Sequence, residues 1–141
     1  MTIGAILHGR TGAVVSARKE DSVRTVVDLL AQHRIGAVPV VEGNAIVGIF
    51  SERDLVRLIS SYGPDALDRT IDEVMTKSPV TCDSKMVVIG ALSLMTQKRI
   101  RHLPVVDDGA LVGFVSIGDL VKYRIDHIEA EAAAMRDYIA S

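Results

Sequence analysis

The chain has 141 residues, 48% apolar and 24% charged, with a net charge of −2; this suits one globular domain, or two small halves sharing a core, and leaves no room for a catalytic domain besides. Near-balanced charge excludes a general attraction to nucleic acid or an anionic membrane surface, and no stretch approaches the ~18 apolar residues of a membrane span. The single cysteine, Cys82, excludes an internal disulfide and reads as a buried, inert thiol, while Met1 to Arg10 lacks the pattern of a secretory leader, so a reducing cytoplasm is expected.

Thr2 to His8 read as a short helical turn, followed by a loop bracketed by Gly9 and Gly12 and a strand Ala13-Val14-Val15-Ser16. Val23, Val26, Val27 and Leu30 recur at helical spacing and predict an amphipathic helix from Ser22 to His33, ended by Gly36. Ala37 to Val41 and Ala45 to Phe50 are apolar and β-branched around Glu42-Gly43-Asn44, the pattern of a hairpin. A helix then starts at Ser51 and stops before Gly63-Pro64. Thr70-Ile71-Asp72-Glu73 reads as a capping box opening a short helix to Thr76.

From Val80 the pattern returns: strand Val80 to Cys82, a helix carrying Val88, Ala91, Leu92 and Met95, strand Leu103 to Val106, a turn at Asp107-Asp108-Gly109, strand Ala110 to Val115 and a helix from Ser116. Pro39 maps to Pro104, Gly48 to Gly113 and Asp54 to Asp119, each at an offset of 65, with no gap from Val15 to Arg57. The fold expected is therefore α+β: two pseudo-symmetric β-α-β-β-α repeats packed through their sheets. The divisions expected are 1–65 for the first repeat with its N-terminal turn, 66–77 for a linker, 78–125 for the second repeat and 126–141 for a helical extension. That extension is amphipathic, through Ile125, Ile128, Ala132, Met135 and Ile139, and suggests packing on a partner subunit.

Gly48-Ile49-Phe50-Ser51-Glu52-Arg53-Asp54 and Gly113-Phe114-Val115-Ser116-Ile117-Gly118-Asp119 each close a strand and open a helix. With Ile100-Arg101-His102-Leu103-Pro104-Val105-Val106 before the second of them, the chain resembles a tandem pair of cystathionine-β-synthase (CBS) domains, a Bateman module, from about Ile3 to Ile125. The resemblance implies a non-catalytic regulatory module that binds AMP, ATP, NAD or another adenosine compound in two clefts. It implies that Asp54 and Asp119 hold ribose hydroxyls, that Ser51 and Ser116 help fix ribose or phosphate, and that the early strand of the opposite repeat covers the adenine. The chemistry agrees, because an ionised carboxylate only accepts hydrogen bonds and two vicinal hydroxyls donate two. Ser-x-x-Asp at a helix start is also a capping motif, which requires no ligand.

Following that geometry, the Asp54 cleft would receive Pro79, Val80 and Thr81, with Arg53, Arg101 and His102 supplying positive charge for a phosphate. The Asp119 cleft would receive Val15 and Ala37, with Gly118 in place of Arg53, and would lack a phosphate arm. Asp54 is thus expected to be the stronger site. His8, His33 and His127 have no metal-ligand spacing, and no catalytic residue or catalytic cofactor is expected. The expected partners are an adenine nucleotide, a second copy in a homodimer and a separate effector protein, without nucleic acid or membrane. The competing reading is a ligand-free dimerisation scaffold.

Overall fold

The computed structural model describes all 141 residues. In chain order the elements are α1 (Ile3–His8), β1 (Ala17–Arg18), α2 (Val23–His33), β2 (Ala37–Glu42), β3 (Ala45–Ser51), α3 (Glu52–Tyr62), a 3-10 stretch (Gly63–Asp68), α4 (Ile71–Val74), β4 (Thr76–Lys77), α5 (Val88–Lys98), β5 (His102–Asp107), β6 (Ala110–Ser116) and α6 (Ile117–Ala140). The architecture is α+β and doubled. Each repeat centres on an antiparallel hairpin, β2–β3 or β5–β6, and both hairpins slip register at the same place, Val40/Val41 and Val105/Val106.

Each hairpin is covered by a helix whose apolar stripe is visible in the sequence. Val23, Val26 and Leu30 of α2 pack with Val38, Val40 and Phe50 in one buried cluster, and Val88, Ala91 and Met95 of α5 pack with Leu103, Val105 and Val115 in the other. Ser22 caps α2, its hydroxyl accepting from Thr25 N–H at 3.1 Å.

The repeats are tied together by crossed arms. Ile3 of α1 lies in the core of the second repeat, whereas Ile71 of α4 and Met75 lie in the core of the first. The backbone bonds match pairwise. Ile3 N–H donates to the Met86 carbonyl at 2.8 Å and Val88 N–H to that of Met1 at 3.0 Å; likewise Ile71 N–H donates to Asp21 at 2.8 Å and Val23 N–H to Arg69 at 2.8 Å. The arms are therefore related by an offset of 68 (71 − 3), three more than the repeats (88 − 23 = 65). The three extra residues of the first copy fall between Gly9 and Ser16, the loop that joins α1 to β1.

Several local expectations change for identifiable reasons. The first strand is not Ala13–Ser16 but β1, which pairs parallel with Val40 and Val41; Ala13 to Val15 instead wall a cavity. Val80–Cys82 contributes only one parallel bridge, Cys82 to Val105. Arg34, not Gly36, ends α2, in the left-handed conformation (φ +53°), and Arg99 ends α5 in the same way (φ +55°). Thr70 does not form a capping box: its hydroxyl donates to Glu73 Oε1 at 2.9 Å instead of accepting from the backbone.

Gly48 and Gly113 are required by the arms. A Cβ at Gly48 would meet the Met75 side chain and, at 2.8 Å, the Thr76 carbonyl; at Gly113 the three nearest atoms it would meet all belong to the Leu7 side chain. Overpacking of this kind costs about 1–3 kcal/mol. Gly48→Ala is expected to lower stability in urea unfolding by an amount in that range, and by more than Gly113→Ala, because a leucine side chain can turn aside and the Thr76 backbone cannot.

Candidate functional site

The two Ser-x-x-Asp sequences are both helix caps. Ser116 Oγ accepts from Asp119 N–H at 3.1 Å and Asp119 Oδ2 accepts from Ser116 N–H at 2.8 Å, which starts α6. At α3 the same bonds join Ser51 and Asp54, at 3.3 and 2.9 Å, and the Ser51 hydroxyl also donates to Asp54 Oδ2 at 3.0 Å. In each box only Oδ2 of the carboxylate is used, so capping leaves Oδ1 for another donor.

Beyond the caps the two carboxylates differ. Arg10, carried by the arm that crosses to the second repeat, places one guanidinium nitrogen 2.9 Å from Asp119 Oδ2 and donates from the other to the Phe114 carbonyl at 2.8 Å. Burial alone would raise the Asp119 pKa, but the Ser116 N–H and the Arg10 pair outweigh it and hold the carboxyl below its usual value. It is an ionised acceptor at neutral pH.

Asp119 opens onto a cavity of about 780 Å³, within the ~300–1,000 Å³ typical of small-molecule sites. Thr11 to Val15 form one wall, Arg34 to Ala37 a second, and Gly113, Phe114 and Ser116 a third. Both repeats contribute. The His102 ring stacks on Phe114, centroids 5.5 Å apart and planes 9° from parallel, and borders the same cavity.

Of the residues singled out from sequence, the structure brings together Val15, Ala37, His102, Ser116 and Asp119. His102, expected beside Asp54, instead lines the Asp119 cavity. The sequence leaves this cleft without a basic side chain, whereas Arg10 and Arg34 both line it. Ser51 and Asp54 stay paired at the α3 cap; Arg53, Thr81 and Arg101 are exposed, Pro79 and Val80 are half-buried, and Gly118 is exposed on the first turn of α6. None of these lines the cavity.

The sequence also leads one to expect that His102 adds charge below about pH 6.5. Burial pushes its pKa below that value, against the pull of Asp119 and Glu52 and with a small push from Arg101. Cys82 is buried, and burial, helped by Asp83 and Asp107, pushes its thiol up to about 11, so it is no thiolate at neutral pH. No group of three or more His, Cys, Asp or Glu side chains is placed to hold a metal ion. No helix is long and apolar enough to cross a membrane.

Two pseudo-symmetric repeats, each a hairpin under a helix, with a cavity lined by both and by a capped carboxylate, define a tandem-repeat α+β module. The chain belongs to the CBS-domain family, whose model matches residues 10–61 and 71–126. It is 35% identical over 125 residues to the CBS domain-containing protein CBSX3, mitochondrial, of Arabidopsis thaliana, covering 85% of this chain but only 61% of that protein. Among solved structures it is similar to the CBS-domain containing protein ATU1752 from Agrobacterium tumefaciens (TM-score 0.82, 35% identity, 87% of this chain and 92% of that one). It is also similar to CBSX2, solved in complex with AMP (TM-score 0.74, 26% identity, 89% and 96%).

Two outcomes follow from the site. Because the folded pKa of His102 lies below the unfolded one, neutral imidazole is favoured by folding. Its contribution is complete above about pH 6.5 and is lost as pH falls through the folded value. An NMR titration of the ring is expected to show a midpoint below 6.5, and a midpoint above 6.5 would contradict the burial. Arg34 holds a left-handed conformation that costs a side-chain-bearing residue about 1–2 kcal/mol. Arg34→Gly is thus expected to raise the urea midpoint, and an unchanged or lowered midpoint would contradict the strain.

Proposed function

We propose that the chain is a regulatory module that binds an adenosine nucleotide in the Asp119 cavity and transmits occupancy to a partner protein through a homodimer. The observation that carries this reading is the convergence of Asp119, Arg10 and Arg34 on one cavity of about 780 Å³. Asp119 Oδ1 takes a ribose hydroxyl, each charge-assisted bond contributing about 1.5–3 kcal/mol. Arg10 spends one donor on Asp119 and one on Phe114, which leaves three of its five N–H groups for a phosphate. Val14 and Val15 cover the adenine, and Gly36 allows close approach of the base.

AMP is the first ligand to test, with ATP and NAD after it; the AMP complex of CBSX2 supports that order. Ser51, Arg53, Asp54, Pro79, Val80, Thr81 and Arg101 form the second, weaker cleft in this proposal, with Gly118 flanking the first. The role is regulatory rather than catalytic, and the lone buried Cys82 suits the cytoplasm. Binding between repeats changes their relative population of tilts only as far as affinity differs between them.

Titration calorimetry with AMP separates the clefts. Asp119→Ala is expected to weaken binding at least tenfold, since ~1.4 kcal/mol is one decade, and Asp54→Ala to leave the tighter site intact. The reverse order would place the nucleotide at Asp54. A panel of AMP, ATP, NAD and S-adenosylmethionine that leaves the melting temperature unmoved would favour the ligand-free scaffold, because a ligand at 100 times its Kd stabilises by about 2.7 kcal/mol.

A further inference from the structure

Helix α6 runs for 24 residues, about 36 Å at 1.5 Å per residue, and the CBS repeats end at residue 126. Along it, Val121, Ile125, Ile128, Ala132, Met135 and Ile139 are spaced 4, 3, 4, 3 and 4 residues apart, an unbroken a/d heptad pattern. All six are exposed, Ile125 at 49%, Ile128 at 48%, Met135 at 60% and Ile139 at 75%. The domain packs on a different side of the helix: Leu120 is buried, Tyr123, Arg124 and His127 are half-buried, and the heptad stripe is left bare. An exposed apolar seam of strict 3.5-residue period matches another helix better than it matches a globular core.

The flanking charges choose the occupant and its direction. With Ile125, Ala132 and Ile139 at a, the g positions hold Arg124 and Glu131 and the e positions hold Glu129 and Arg136. In a parallel, in-register pair each g residue faces the e residue five positions on in the other strand. Arg124 then meets Glu129 of the second copy and Glu131 meets Arg136 of the second copy, and two-fold symmetry repeats both contacts. Every one of these pairs is attractive. In the antiparallel pairing that keeps all six apolar layers, Glu129 faces Glu129, Glu131 faces Glu131 and Lys122 faces Arg136, all repulsive. Antiparallel registers one heptad away bury only four of the six positions.

From this we infer that α6 is the self-association element: two copies join through a parallel, in-register coiled coil over Val121–Ile139. The inference rests on the homodimer of the functional reading and adds its location, direction and register. The two-fold axis then lies along the paired helices, so both cavities sit at the same end of the assembly, in a position to present one composite surface to an effector.

The test uses the full chain carrying Ala132→Cys, which brings a thiol against its own copy in the parallel register and against Ile128 in the full-length antiparallel one. Mild oxidation is expected to give a disulfide-linked dimer, whereas the unsubstituted chain, whose Cys82 is buried, gives none. In sedimentation equilibrium Arg136→Glu is expected to weaken association by about tenfold at low salt, and Glu131→Arg with Arg136→Glu to restore it. A chain that sediments as a dimer without forming the engineered cross-link in the Ala132→Cys variant, or without rescue by the charge swap, would overturn this inference and leave the homodimer standing. A chain that stays monomeric throughout would overturn both.

Discussion

The close approach of the Leu7 side chain to Gly113, and of Met75 to Gly48, is the constraint on which the rest of the structure depends. Each repeat on its own is a short hairpin under one helix, with too little apolar surface buried to stand alone. The crossed arms give each core a residue from beyond its own repeat, Ile3 for the second and Ile71 for the first. Neither half is complete without the other, and the relative position of the halves is set by short backbone bonds rather than by side-chain contact alone.

The asymmetry between the clefts follows from the same arms. The first copy has three more residues between arm and repeat, and these belong to the loop that carries Arg10 toward Asp119 and walls the cavity from Thr11 to Val15. In the second copy Thr76 and Lys77, the counterparts of His8 and Gly9 (76 − 8 = 68), form β4, which pairs with Gly48 and Ile49 at the edge of β3, and only Ser78 to Val80 stand in place of the loop. One arm therefore ends in a loop over a cavity and the other in a strand. The hydrogen bonds that start α6 also help keep Asp119 ionised, and the cap uses only its Oδ2, leaving Oδ1 without a capping partner.

The doubled hairpins, the stripes of α2 and α5 and the long C-terminal helix are legible in the sequence because each rests on local periodicity. The walls of the Asp119 cavity are not. Arg10 reaches Asp119 across 109 positions (119 − 10) along an arm whose crossing no local pattern reveals. The readable signal is the offset, 68 for the arms against 65 for the repeats, which places the extra residues in the loop beside the cavity. Charge alone groups His102 with Asp54, whereas its ring lines the Asp119 cavity. Its stacking on Phe114 and its burial, which keep it neutral, depend on β5 and β6 lying side by side. Gly36 offers the more ordinary helix stop and so hides Arg34, which ends the helix in a strained conformation and lines the cavity beside Gly36.

The central claim is that the crossed arm makes Asp119, not Asp54, the principal nucleotide carboxylate. An amide-resolved NMR titration of the full chain with AMP tests it most directly. The account predicts that the first shifts to saturate belong to Arg10–Val15, Gly36–Ala37 and Ser116–Asp119, with Ser51–Asp54 and Val80–Thr81 following only at higher concentration. Saturation in the opposite order, with the Arg10 loop unmoved, would contradict it.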